Sequence, residues 1–157
     1  MYKLPRSLRN NNPFNIKKSS SSWLGKLSSS RWPGQVKGDD NVFESFDTLE
    51  HGTRAGLKLL FNYVKKGYNT PRKIINRFAP SSENDTKSYL RFVSDSHVLP
   101  PDEVIDNLGN FILFCERIIE YESGLSFKQL HDYGISLSYL FNIISKYNLN
   151  FLYYEED

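Results

Sequence analysis

From Leu108 to Ile119 the chain carries Leu108, Phe111, Ile112, Leu113, Phe114, Cys115, Ile118 and Ile119, apolar on nearly every side. A helix of that kind has no face to give to water, so it belongs in the middle of a fold with other elements around it. Pro100-Pro101-Asp102 predicts its opening, because proline suits a first helical turn. Glu120-Tyr121-Glu122-Ser123-Gly124 predicts its end, with glycine free to take the left-handed backbone of a helix stop. A chain of 157 residues suffices for one domain built on such a helix. With 39% apolar and 15% aromatic residues, this composition is not that of a disordered chain.

The remaining helices follow from their caps. Asp47-Thr48-Leu49-Glu50 reads as a helix start, with Thr48 or Asp47 capping free N–H groups and Glu50 suiting the positive end of the dipole. Leu49, Ala55, Leu57, Leu59, Leu60, Tyr63 and Val64 give that helix an apolar face, and Gly67 ends it. Thr70-Pro71 starts a second helix through Ile74, Ile75 and Phe78, stopped by Ala79-Pro80. Ser82 to Thr86 is a cluster of capping residues before a third helix bearing Tyr89, Leu90, Phe92 and Val93. The last helix is expected over about Ile135 to Tyr147, presenting Leu137, Leu140, Phe141 and Ile144. The fold class is therefore mainly α, as a single domain. Residues 1–46 form an irregular segment with at most a short hairpin, 47–124 the helical core, and 125–157 a C-terminal helix with an aromatic tail.

Asn10-Asn11-Asn12-Pro13 is turn chemistry, since Asn tolerates the left-handed region and Pro fixes its own φ. The Ser-rich stretches Ser19–Ser22 and Ser28–Ser30 surround Trp23, and Trp32 follows. Two Trp in so polar a segment read either as a surface loop or as a binding edge. Ten Tyr and eleven Phe suit a core, and equally the walls of a cleft where flat rings meet the apolar face of a sugar.

Charge bounds the partners. Net charge is +2, from 20 basic and 18 acidic residues, without the concentrated basic footprint that nucleic acid needs. The front of the chain is locally basic: Lys3, Arg6, Arg9, Lys17, Lys18, Lys26, Arg31 and Lys37 precede the first acid, Asp39. Such a face suits a polyanion or is simply solvated. Cys115 stands alone, so no intrachain disulfide forms, and its apolar surroundings argue against an activated thiolate. His51, His97 and His131 are scattered with no metal-ligand spacing, and no phosphate-binding or nucleophile-elbow motif occurs. No metal or other cofactor is expected. No stretch is long enough to span a membrane. Met1 to Arg6 lacks the apolar core of a secretory signal, so for a target outside the cytoplasm something else is expected to deliver the protein.

Glu122 is the residue with the most chemical content. It sits at the C-terminal end of the most apolar helix, where burial and the negative end of the dipole both favour the protonated carboxyl. A general acid acting near neutral pH needs a pKa raised in this way. A plain helix-end surface residue is the alternative. Glu50 and Glu83 are candidates for a second carboxylate, with a helix-start role and a capping role as their ordinary explanations.

Three segments together carry a resemblance: Arg9 to Lys17 (Arg-Asn-Asn-Asn-Pro-Phe-Asn-Ile-Lys), Phe43 to Ala55, and Ile74 to Tyr89. In this order they resemble a family of small phage virion-associated and prophage proteins of lysozyme-like type, over roughly residues 6–124. The family pattern has Gly where this chain has Phe14. A more distant resemblance is to bacterial autolysin and flagellar glucosaminidases, which carry a Glu-Ser-Gly catalytic segment, then an Asn-Asn-x-Phe-Gly-Ile-Lys-like loop, then a helix start and a Tyr-bearing helix. Here Asn11 to Lys17 resembles the loop, Phe43 to Glu50 the helix start, and Tyr89 the cleft tyrosine, while Glu122-Ser123-Gly124 lies at the opposite end. That order implies a circularly permuted lysozyme-like domain. Lytic transglycosylases also place their acid in a Glu-Ser motif ending a buried helix.

The resemblance implies an enzyme cutting peptidoglycan glycan strands between N-acetylmuramic acid and N-acetylglucosamine, carried in a phage virion and acting in the bacterial envelope, with Glu122 as acid and base. It implies Asn12, Asn15, Asn84, Thr86, Tyr89 and Trp32 as substrate-binding groups, although the Asn and Thr residues also read as turn and cap residues. Three other readings stay open: a non-catalytic virion protein contacting other virion proteins through the apolar tail Leu149–Tyr154, a peptidoglycan-binding module, and a peptidase cutting the stems.

Overall fold

A computed structural model describes residues 4–27, 40–94 and 97–149. Among the described residues there are seven helices and no strand. They are α1 (Arg6–Arg9), α2 (Leu49–Lys65), α3 (Pro71–Phe78), α4 (Thr86–Val93), α5 (Leu108–Ser123), α6 (Phe127–Tyr133) and α7 (Leu137–Lys146). The mainly helical class expected from the sequence is what the chain adopts.

Helix α5 is the hub. It packs against α1, α4, α6 and α7, while α2 packs on α3 and α7 and α3 on α4. Phe111, Phe114, Cys115, Ile118 and Ile119 of α5 are all inaccessible to solvent. The Phe111 ring lies 4.1 Å from that of Phe61 on α2. The buried cluster runs from Leu8 to Leu149, so the irregular front of the chain contributes to the same core as the helices. Among the described residues no helix is long and apolar enough to cross a membrane.

The caps act as the sequence suggests. The Thr48 side chain accepts from the His51 N–H, Thr70 from Lys73, and Asp85 from Ser88. Gly124 closes α5 with φ 72°. The opening of α5 differs from expectation. Asn107 caps it, and Pro100-Pro101-Asp102 forms a separate turn upstream. That turn serves α3 instead: the Pro101 carbonyl accepts the Arg72 N–H, and Asp102 pairs with the Arg72 guanidinium at 2.7 Å. The short α6, unanticipated, starts on a capping box between Ser126 and Gln129.

The front segment is α1 followed by a folded loop, tied down by isolated antiparallel bridges Lys17–Phe43 and Lys26–Phe46 in place of a regular hairpin. Asn11 and Asn15 take left-handed backbone, with φ 52° and 51°. Phe14 is wholly buried. Two glycines one turn apart on α2 make room for this loop. A Cβ at Gly52 would lie 1.6 Å from the Asn11 carbonyl oxygen, and one at Gly56 would lie 2.0 Å from the Phe14 ring. Trp32, the basic residues Arg31 and Lys37, and the tail beyond Leu149 lie outside the described residues; Leu149 itself is buried.

Candidate active site

The left-handed turn at Asn15 and the last turn of α5 meet across the molecule. Asn15 Nδ2 donates to Glu122 Oε1 at 2.9 Å, and it also lies 3.4 Å from the Glu122 carbonyl oxygen. The other carboxyl oxygen, Oε2, accepts the Tyr89 hydroxyl at 2.6 Å. Tyr89 is 1% exposed and stacks on Tyr121 with ring centroids 3.9 Å apart, so its hydroxyl is fixed from behind. Three segments far apart in sequence thus converge on one carboxyl group.

Burial holds the Glu122 carboxyl above the ordinary range. The hydrogen bonds from Tyr89 and Asn15 and the charge of Lys17 pull in the opposite direction without cancelling it. The Tyr89 phenol is itself pushed well above its usual value, first by burial and then by the Glu122 charge, so it stays a donor.

Glu122 opens on a cavity of about 260 Å³, lined among others by Lys17, Trp23, Tyr63, Phe78 and Asn84. Trp23, Phe43, Tyr63 and Phe78 supply aromatic wall; Ser19, Ser21 and Asn84 supply polar edges. The Ser-rich wall is held by a clamp that sequence reading did not find. Lys26 Nζ donates to the carbonyls of Ser19 and Ser21 and pairs with the buried carboxylate of Glu44 at 3.0 Å. Nothing in local spacing announces a pair so far apart in the chain.

The other expected site residues divide. Asn15 and Asn84 line the cavity, although the Asn84 amide also donates to the Pro80 carbonyl at 3.3 Å. Asn12 is not a substrate-facing group. It is fully buried, donates to the Ile16 and Glu44 carbonyls, and accepts the Ile16 N–H, because the loop around it needs its backbone groups paired. Thr86 is likewise turned inward, its hydroxyl donating to the Ala79 carbonyl at 2.6 Å. Tyr89 reaches Glu122 from the core side and is not part of the cavity wall. Glu50 is not part of the cavity wall either. Lys146 and Tyr147 hold it at 2.8 and 2.5 Å, which ties α2 to the end of α7. Glu83 is not among the lining residues; it is about half exposed and pairs at 2.7 Å with Lys17, which is. Trp32 lies outside the described residues, whereas Trp23 is in the wall.

Sequence reading also passed over Glu116, a carboxyl on α5 that is 1% exposed. Burial, and next the neighbouring Glu120, push it up to about 9, so it is neutral at pH 7. Among the described residues no three His, Cys, Asp or Glu side chains gather closely enough to hold a metal ion.

No family model matches the chain. It is 40% identical over 121 residues to "Protein P5" of Pseudoalteromonas phage PM2, an alignment covering 76% of this chain and 71% of that protein. The chain belongs to the family of that phage protein. The expected phage origin of its relatives is thereby met, and the P5 family is the frame in which the Glu122 site has to be explained.

Proposed function

We infer that this P5-family chain is a lysozyme-like enzyme that cleaves the peptidoglycan glycan backbone between N-acetylmuramic acid and N-acetylglucosamine, delivered with a phage particle. The observation that carries the reading is Glu122: a carboxyl kept toward its protonated form by burial, fixed by two donors, and open to an aromatic-walled cavity with polar edges. Supporting it, the Asn15 loop and the Glu122 end of α5 sit side by side although they are at opposite ends of the sequence, as a permuted lysozyme-like domain requires.

In this reading Glu122 gives its proton to the glycosidic oxygen as the C1–O bond breaks. The Glu122 carboxylate then takes the proton of the group that attacks C1. If that group is the C6 hydroxyl of the same muramyl residue, a 1,6-anhydro ring closes; if it is water, a reducing end results. Asn15 and Tyr89 hold the carboxyl in place through both steps. Release of dye from labelled sacculi tests the reading: activity in the wild type that falls at least a hundredfold in Glu122→Gln supports it, and equal release from both proteins refutes it.

A second reading is a virion protein that keeps this fold without catalysis. Its specific support is that both oxygens of Glu122 already have partners, so the carboxyl also works as a tie between the front loop, α4 and α5. In that case Glu122→Gln lowers thermal stability and the wild type releases no dye.

A further inference from the structure

Lys17 is the one cationic side chain among the described residues that line the Glu122 cavity. Its backbone is fixed on both sides. Lys17 bridges to Phe43, the Ile16 carbonyl accepts the Glu44 N–H, and the Lys18 N–H donates to the Val42 carbonyl. The side chain therefore leaves an ordered base, not a loose loop, and it is about half exposed. Lys17 and Glu122 line the same cavity. The partner of Lys17 in the structure, Glu83, pairs with it at 2.7 Å and is about as exposed as Lys17 itself. Such a pair has little net worth, and another carboxylate can replace the protein's own at small cost. Apart from Glu122, the rest of the wall is apolar, aromatic or neutral polar, suited to a sugar ring but blind to charge.

We propose that Lys17 is a specificity residue that binds a carboxylate carried on the glycan, with Glu83 occupying that position until the ligand arrives. This rests on the glycan reading of the cavity and adds to it the chemical feature that selects among glycans. A glycan carrying a carboxylate on the substituent at O3 of the sugar is preferred over a neutral one of the same length. Two sources supply that carboxylate: the lactyl group of a strand stripped of its peptides, and the acidic groups of an intact stem.

Binding, measured by calorimetry at low salt, separates this from the catalytic claim. Wild-type and variant chains, all carrying Glu122→Gln so that strands stay intact, are titrated with soluble glycan strands of three kinds: stem-bearing, amidase-stripped, and stripped with the carboxyls amidated. The expected result is about tenfold tighter binding of a carboxylate-bearing strand than of the amidated one, the effect of one charge-assisted contact. Lys17→Met removes that preference while leaving affinity for the amidated strand unchanged, Lys17→Arg keeps it, and Glu83→Gln widens it. Preference for stripped strands assigns the lactyl carboxylate, and preference confined to stem-bearing strands assigns the peptide. A preference that survives Lys17→Met overturns the proposal, as does equal binding of all three strands or binding of none. Failure of the wild type to release dye, with the Lys17-dependent preference intact, would sink the catalytic reading alone.

Discussion

Replacing Gly56 by alanine sets two effects of opposite sign against each other. In an exposed helix the change stabilises by about 1 kcal/mol, because glycine has more backbone freedom to lose. On α2 the new Cβ would lie 2.0 Å from Cδ2 of Phe14 and 2.4 Å from its Cγ. An ordinary carbon–carbon contact is about 3.5–4.0 Å, so the ring must retreat by about 1.5–2 Å. Phe14 is wholly buried and cannot swing into solvent. Overpacking of that kind costs about 1–3 kcal/mol, and here it also displaces Asn15, the next residue, whose amide holds Glu122. The expected net is a loss of up to about 2 kcal/mol, or up to roughly 8 °C in Tm for a chain of this size. Thermal and urea unfolding followed by circular dichroism give the number. Phe14→Leu in the Gly56→Ala background should restore part of the loss, with a coupling of at least about 0.5 kcal/mol in the double-mutant cycle. A Gly56→Ala chain more stable than the wild type by the full helix-propensity increment, or a double-mutant cycle without coupling to Phe14, would refute the close-packed loop.

Two further expectations concern protons. The Tyr89 hydroxyl favours the ionised form of Glu122, so Tyr89→Phe raises the Glu122 pKa further and moves the alkaline limb of the activity profile to higher pH; a limb that stays put or moves down would contradict the hydrogen bond's role. Glu116 has a folded-state pKa raised to about 9, so the folded chain holds a proton that the unfolded chain releases, and stability falls as pH rises from the ordinary carboxylate range toward 9. Glu116→Met should therefore stabilise the fold by about 1–3 kcal/mol at pH 8 and by less at pH 4.5, as read from urea midpoints at the two pH values; a gain that does not grow with pH would mean that the carboxyl is solvated or paired.

Much of the architecture could be read directly because its determinants are local. Thr48, Thr70-Pro71 and Asp85 cap helices within three residues of themselves, and the all-round apolar run of α5 announces its central position. Pro100-Pro101 misled because two prolines suit a turn as well as a helix start, and the Arg72 partner that decides the matter is 30 residues away. The α6 capping box, Ser126 with Gln129, is equally local, its two partners three residues apart. In the site, Glu122 could be singled out from its helix, but the fates of the other carboxyls could not. Glu50 is claimed by Lys146 and Tyr147, and Glu83 by Lys17, across separations of 96, 97 and 66 residues. Asn12 and Thr86 show the complementary limit. The same side chains serve a sugar or a loop equally well, and burial decides.

The most direct test is mass spectrometry of the muropeptides released when purified peptidoglycan is incubated with the wild type and with Glu122→Gln. Anhydro or reducing muropeptides from the wild type alone are the predicted result, the first from attack by the C6 hydroxyl and the second from attack by water. Cleavage products of equal yield from both proteins, or none from either on several peptidoglycan types, would contradict Glu122 as the acid of a glycan-cutting enzyme.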